Sequence, residues 1–401
     1  MRIGIFLHGL TWGGATRRLL SLARAFQERG HRVSLIVVER GEFLKKSEVS
    51  GLEIKELQKG VLFRLFLKNA SKKRKMAWSK FAFARFLRSS RLDVLVSGGN
   101  HAHITAISAL VLSGRRIPLV LRLSSHVTAS LRKKKKLSKK IRFFLARKLY
   151  PFSDMVIAVS RAVAEDLKSC ISIPESKIRV IYNPIYCPEL LDKVREKPSH
   201  PWLLDERGRK VPVLLAAGRL NLQKGIDVLL RAFALAVSRR DMRLIILGEG
   251  KKRASFETLI RNLKLEGKVD MPGYVQNPLA YMARADLFCH ASIFEGMPGV
   301  VIEALAAGCP VVCTDSSGGA AEILGDEKYG VLVPVGDEKA LASGMIDGLD
   351  RTWDSAELKK RAAFFSVDKA AEEYLAALEA LAGKNVQQKE LKKSDKSMLS
   401  L

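Results

Sequence analysis

Short apolar runs that close in a glycine or polar turn, each followed by an amphipathic helical stretch, recur along this chain in two separate series. The first unit is Arg2–Leu7, then Gly13-Gly14, then a helix carrying Leu19, Leu22, Ala23 and Phe26 at i, i+3, i+4 and i+7, which Gly30 ends. Strands alternating with helices bury their apolar runs in a parallel sheet covered on both faces. Further buried strands are predicted at Val33–Val38, Val94–Ser97, Leu119–Leu123, Met155–Val159 and Ile178–Ile181. Asn183-Pro184, Pro188, Pro198, Pro201 and the polar Asp205–Lys210 then have linker chemistry that no regular element fits. A second series opens at Val211–Ala217, followed by a helix with Leu229, Ala232, Phe233 and Ala236 at the same spacing. Strands at Arg243–Leu247, Asp286–His290, Pro310–Cys313 and Gly330–Val333 continue it. The expected architecture is α/β, with a first domain over residues 1–184, a linker over 185–210 and a second domain over 211–364. Residues 365–383, amphipathic over Val367–Leu381, are expected as a helix crossing back to the first domain, and the lysine-rich 384–401 as a disordered tail.

At 401 residues the chain exceeds one ordinary core, and 47% apolar with 27% charged residues excludes wholesale disorder. No run reaches the roughly 18 apolar residues that span a bilayer. The opening MRIGIFLHGLTWGG is read as a buried strand rather than a signal peptide, because an amphipathic helix follows at once. Five cysteines without paired or metal-ligand spacing suggest reduced thiols and a cytoplasmic protein.

The net charge of +28 is concentrated: between Glu56 and Asp154 there are 24 Lys and Arg against one acid, Asp93. Two knots stand out, Arg64–Arg91 with Lys72–Lys75, and Arg132–Lys148 with Arg132–Lys136. The first interleaves Phe63, Phe66, Leu67, Trp78, Phe81 and Phe86, and the second Leu137, Ile141, Phe144 and Leu149. Segments 62–91 and 132–148 are therefore expected at an anionic membrane surface, against the plainer reading that lysines coat a helix packed on its own domain. The same charge invites nucleic acid, but no helix-turn-helix, zinc pattern or aromatic RNA motif accompanies it, and no nucleic-acid partner is expected.

In doubly wound sheets ligands sit beyond the carboxyl ends of the strands. After the second-series strand ending at His290 come Glu295, in a loop, and Glu303, on a helix starting near Gly299. Two such carboxylates accept hydrogen bonds from vicinal hydroxyls at two points of one extended ligand, and the intervening glycines and proline free amides at a helix start that favours anionic oxygen. After Val211–Ala217 comes Gly218-Arg219-Leu-Asn-Leu-Gln-Lys224-Gly225, whose two cations can clamp a diphosphate and stabilise its charge as it leaves. His101 and His103, in GGNHAH, lack further nearby metal ligands, and no Asp-x-Asp occurs. The expectation is no metal and no cofactor, with cations and helix dipoles holding the diphosphate.

GRLNLQKGIDVLLRAF, LIILGEG, PGYVQN, FEGMPGVVIEALAAGCPVV and DSSGGAAEIL follow one another here in an order and spacing that resemble the donor domain of the retaining glycosyltransferases of family 4. The Glu-x7-Glu pair is that family's signature. The first half resembles it more loosely, through the opening strand and glycine turn and through VIAVSRAVAEDL and IRVIYNPI. The resemblance implies the GT-B fold, two Rossmann-like domains facing a central cleft. It implies that Arg219 and Lys224 neutralise the donor diphosphate, that Glu303 holds the ribose and that Glu295 holds hydroxyls of the transferred sugar. Gly218, Gly248, Asn277 and the loop Gly296, Met297, Pro298, Gly299 and Val300 complete that wall, Tyr274 and Val275 lie against the base, and Gly13 and Gly14 approach from the opposite wall. His126 matches the family's site histidine, with Arg122 as a competitor; His101, His103 and Arg122 are acceptor-side candidates. The implied reaction is transfer with retention from a UDP-sugar to a lipid-linked or cell-surface glycan at the inner membrane face. A nucleotide-sugar epimerase of the same fold is the alternative within that resemblance. A dinucleotide oxidoreductase is disfavoured because GxGxxG is absent.

Overall fold

The computed structural model describes residues 1–10, 13–39, 49–57, 72–100, 102–129, 137–204, 211–316 and 319–398, with the backbone alone given for 72–74, 77, 138 and 384–398. The chain forms two compact units, Met1–Pro184 with Val367–Leu401, and Ile185–Ser366.

The first unit is built on seven parallel strands: β1 (Arg2–Gly9), β2 (Arg32–Glu39), β3 (Glu53–Glu56), β4 (Val94–Gly98), β5 (Leu119–Leu123), β6 (Met155–Ala158) and β7 (Ile178–Val180). They lie in the order β3-β2-β1-β4-β5-β6-β7, so the winding reverses between β1 and β4. The second unit has six parallel strands: β8 (Val213–Ala217), β9 (Arg243–Leu247), β10 (Val269–Gly273), β11 (Leu287–His290), β12 (Val311–Thr314) and β13 (Val331–Val333). Their order, β10-β9-β8-β11-β12-β13, reverses between β8 and β11. Each unit is thus a doubly wound, Rossmann-like α/β fold, and each reversal opens a crevice at the carboxyl ends of the two strands flanking it.

All the expected strands are present, most within one or two residues of the expected bounds. Two strands were not legible, and both are sheet edges. β3 reads Glu-Ile-Lys-Glu, the charged composition that protects an edge. β10 contains Pro272, tolerated because an edge strand need not donate on its outer side. Residues 185–204 are not a featureless linker. They form a helix Glu189–Arg195 and a turn Pro201–Leu203, fastened to the second unit by side chains far along the chain. Arg284 Nη1 donates to Val194 O at 3.1 Å, Asn277 Nδ2 to Lys193 O at 2.7 Å, and His200 Nε2 meets Asp270 at 2.8 Å. The polar stretch Asp205–Lys210 lies outside the described residues.

The C-terminal helix belongs to the first unit. Its Ala370, Ala371, Tyr374, Leu375 and Leu378 join the core of β1 and of the helix Gly14–Glu28, with Arg29 paired to Asp368 at 2.8 Å. Where the sequence reading placed a disordered tail from Lys384, the helix continues to Met398. Nothing beyond Gly383 breaks it: the segment has no proline, and Lys, Glu and Gln are good helix formers. Arg122 also departs from expectation. It is 1% exposed within the first unit, its Nε donating to Tyr374 Oη at 3.1 Å and its Nη2 to Asn183 Oδ1 at 2.6 Å. A strand-borne guanidinium that fastens the C-terminal helix and the segment before Pro184 is an interior strut, not an acceptor contact.

Tyr374→Phe removes one hydroxyl and leaves Arg122 Nε buried without its acceptor, which costs about 1–3 kcal/mol. The urea midpoint is expected to fall accordingly, and an unchanged midpoint contradicts the assignment of Arg122 as a strut.

Candidate active site

The β8–β11 crevice of the second unit brings together Lys224 and Glu295, two of the polar groups singled out in the sequence. Its walls are the loops after β8, β9 and β11, stacked backbone on backbone, and glycine makes the stacking possible. Gly225 has φ +59° and a Cβ there would lie 2.0 Å from Ala291 O; Gly248 has φ +128° and a Cβ would lie 2.0 Å from Gly218 O. Neither the conformation nor the space admits another residue. Two further bonds lock the β8 and β11 loops together, Ile293 N to Gln223 O at 2.9 Å and Gln223 Nε2 to Phe294 O at 3.0 Å. Asn221 Oδ1 accepts from Lys224 N at 3.2 Å and closes the turn that delivers the lysine.

The result is a direct ion pair between the two loops, Lys224 Nζ to Glu295 Oε1 at 2.6 Å, with the side chains 21% and 15% exposed. Ser292 Oγ donates to the same carboxylate oxygen at 2.9 Å, and Thr314 Oγ1, at the end of β12, donates to Ser292 O at 2.7 Å. His290 Nε2 lies 3.9 Å from Glu295 Oε1. Burial pushes the Glu295 carboxyl up, but the Lys224 ammonium and the lysine and serine hydrogen bonds outweigh it and hold the group below its ordinary value. Burial first, then Lys224, depress the His290 imidazole from 6.5 to about 3.

Arg219 is exposed on the β8 loop, and Glu303 sits half-buried in the helix Gly299–Ala306, beyond its first turn. Gly296, Met297 and Pro298 are buried where the chain enters that helix, with Gly299 and Val300 half-buried as it begins. Tyr274 follows β10 and is 56% exposed, with Val275 half-buried beside it. Asn277 is engaged otherwise than expected. Its Oδ1 caps the helix Pro278–Met282 through Leu279 N at 3.1 Å, and its Nδ2 reaches Lys193 O and Glu196, which leaves its side chain a structural task.

In the first unit Gly13 caps the helix Gly14–Glu28 beyond β1, and a Cβ on Gly14 would meet nothing within 4 Å. His126 is 8% exposed in the loop after β5, a loop pinned by Asp166, which accepts from Val127 N at 2.6 Å and Thr128 N at 3.2 Å. His103 is fully buried at the start of the helix His103–Ser113, its Nδ1 2.9 Å from Ser97 Oγ and its ring edge-on to Tyr150 at 5.4 Å. An interior imidazole of this kind is a packing element, which corrects the expectation of an acceptor-facing His103. His101 lies outside the described residues. Among the described residues no group of three or more His, Cys, Asp or Glu is disposed to hold a metal ion. Sequence reasoning missed Ser292, Thr314 and His290. The available signal was polar residues closing otherwise apolar strands, directly before the acidic loop.

Two doubly wound, Rossmann-like units make up the GT-B fold. Residues 205–364 match the family Glycosyl transferases group 1, and residues 12–189 match Glycosyltransferase Family 4. The chain belongs to the group 1 glycosyl transferases. It is 28% identical over 345 residues to a Campylobacter jejuni N-acetylgalactosamine-N,N'-diacetylbacillosaminyl-diphospho-undecaprenol 4-alpha-N-acetylgalactosaminyltransferase, covering 86% of this chain and 89% of that one. A second Campylobacter jejuni enzyme, the GalNAc-alpha-(1->4)-GalNAc-alpha-(1->3)-diNAcBac-PP-undecaprenol alpha-1,4-N-acetyl-D-galactosaminyltransferase, is 28% identical and covers 85% of this chain and 87% of its own. Among solved structures, Anabaena HepE in complex with UDP and glucose superposes with a TM-score of 0.73 at 21% identity, covering 94% of this chain and 99% of that one.

Gly225→Ala forces the β8 and β11 loops apart, and we expect a loss of several degrees in melting temperature. An unchanged melting temperature contradicts the stacked-loop geometry. Acid sensitivity follows from His290. Its neutral form is stabilised in the folded state, so that stability is complete above pH 6.5 and is lost as the pH falls towards 3, at up to about 1.4 kcal/mol per pH unit. Glu295 acts in the same direction over the lower, carboxylate range. In His290→Gln the loss of stability between pH 6.5 and that range is expected to shrink, leaving what His31, also depressed by burial, contributes; an undiminished loss contradicts a buried neutral imidazole.

Proposed function

We propose that this protein is a retaining glycosyltransferase that takes a sugar from a UDP-sugar and delivers it to a lipid-linked glycan at the inner face of the cytoplasmic membrane. The observation that carries the reading is the Lys224–Glu295 pair at the β8–β11 reversal, an ammonium and a carboxylate held side by side where this fold class binds nucleotides. Lys224 and the exposed Arg219 supply positive charge to a departing diphosphate, where charge grows in the transition state. Glu295 presents its second oxygen to sugar hydroxyls, and Glu303, in the second turn of the neighbouring helix, takes the ribose. The amides at Gly299 receive anionic oxygen as any helix N-terminus does. Tyr274 and Val275 face the base. No metal is assigned to the diphosphate. Acceptor attack on the face the diphosphate leaves, with the leaving phosphate taking the acceptor proton, accounts for retention without a protein nucleophile.

Two observations support the acceptor and its location. Both Campylobacter jejuni relatives are named for undecaprenol diphosphate-linked substrates. The helix Lys72–Ser89 buries Phe83 against Phe6 with ring centroids 4.2 Å apart, yet leaves Trp78 and Phe81 59% and 53% exposed. The helix Leu137–Leu149 likewise exposes Ile141 and Phe144 among Lys140, Arg147 and Lys148. Outward aromatics set among cations suit an anionic lipid surface better than a solvated face. The basic residues 132–136 and the apolar Phe63, Phe66 and Leu67 lie outside the described residues. Among the described residues no helix is long and apolar enough to cross a membrane.

A panel of nucleotide sugars tested by thermal unfolding without added metal should single out a UDP-sugar. Its stabilisation is about 2.7 kcal/mol at a hundredfold excess over Kd, and Glu303→Ala or Lys224→Ala should abolish it. Equal stabilisation of wild type and both variants overturns the site. Sedimentation with vesicles should show salt-sensitive binding to anionic but not neutral lipid, weakened in the Trp78→Ser, Phe144→Ser double variant. Binding unaffected by that variant overturns the docking surface.

A further inference from the structure

His290 ends β11 with its side chain 4% exposed, and its Nε2 is buried with no hydrogen-bond partner. Its backbone is fixed in the sheet beside Cys313 of β12, and its carbonyl accepts from Thr314 Oγ1 at 3.4 Å, so the ring is presented from a rigid element. A buried ring nitrogen with no partner is an unfavourable arrangement that native proteins retain for a reason. The acceptor it approaches is Glu295 Oε1, at 3.9 Å, about 1 Å beyond hydrogen-bonding distance. That oxygen already receives Lys224 Nζ at 2.6 Å and Ser292 Oγ at 2.9 Å, which occupies both of its lone-pair directions. Of those two donors one can leave. Ser292 sits on a short side chain with its carbonyl bound by Thr314, whereas Lys224 is a point charge on a flexible four-carbon stem, 21% exposed.

We propose that His290 is a positioning residue for the sugar-binding carboxylate: its Nε2–H takes hold of Glu295 Oε1 when the Lys224 ammonium turns towards the donor diphosphate. The imidazole then keeps Glu295 hydrogen-bonded and aimed while the lysine serves the phosphates, so gripping the diphosphate does not loosen the grip on the sugar. A neutral imidazole suits this task, because a second permanent cation beside Lys224 would repel it. This assignment rests on the roles given above to Glu295 and Lys224.

The test is a double-mutant cycle on nucleotide-sugar affinity, with UDP-glucose and UDP-N-acetylgalactosamine as sugar-bearing probes and UDP as the probe without a sugar. His290→Leu is expected to weaken the better-bound UDP-sugar by roughly tenfold, as befits one lost hydrogen bond to a charged group, while UDP affinity stays within about twofold. His290→Gln, which retains an N–H donor, should recover most of the loss. In a Glu295→Gln background, His290→Leu should add nothing further. Equal weakening of UDP and UDP-sugar, or additive losses in the Glu295→Gln background, overturns the proposal, as does unaltered UDP-sugar affinity in His290→Leu. If the leucine variant fails to fold, the glutamine variant and its cycle with Glu295→Gln decide by the same criteria. A wild type that binds UDP and neither sugar overturns the reading of Glu295, and one that binds none of the probes overturns the site.

Discussion

The ion pair between Lys224 and Glu295 is the constraint around which the second unit is arranged. Bringing an ammonium and a carboxylate to 2.6 Å in a poorly exposed crevice is costly unless each finds its partner and further hydrogen bonds. The fold supplies these by topology. Reversal of the winding between β8 and β11 places two loops side by side that are some 70 residues apart in sequence, and glycine at 225 lets them touch through their backbones. Ser292 and, behind it, Thr314 then orient the carboxylate from the sheet. A carboxylate held below its ordinary pKa is a permanent acceptor for hydroxyls, and an ammonium beside it is a permanent ligand for phosphate.

Much of this was legible in the sequence because the physics is local. Gly225 announces a turn that other residues disfavour, and Gly299 a helix start. The central strands β1, β4, β5, β8, β9 and β11 read as apolar runs because both their faces are covered. Edge strands gave weaker signals: β3 is mostly charged and β10 carries a proline. The segment 185–204 looked like a linker because what orders it, Arg284, Asn277 and Asp270, is supplied from far along the chain.

The site shows the same division. Glu295, Glu303, Arg219 and Lys224 stood out by type and spacing. Ser292, Thr314 and His290 did not, because their contribution depends on strand register and on which way a side chain points. Arg122 and His103 were misjudged for the converse reason. Polar residues at strand ends and helix starts suggest a ligand, but here one clasps Tyr374 and Asn183 and the other packs on Ser97 and Tyr150. Burial, which a sequence does not display, separates the two cases.

The most direct measurement is a crystal structure of the protein with a UDP-sugar bound. The account predicts the diphosphate within hydrogen-bonding distance of Lys224 Nζ, with hydroxyls of the sugar on Glu295 and of the ribose on Glu303. A nucleotide lodged elsewhere, or bound in the crevice with its diphosphate remote from Lys224, contradicts it.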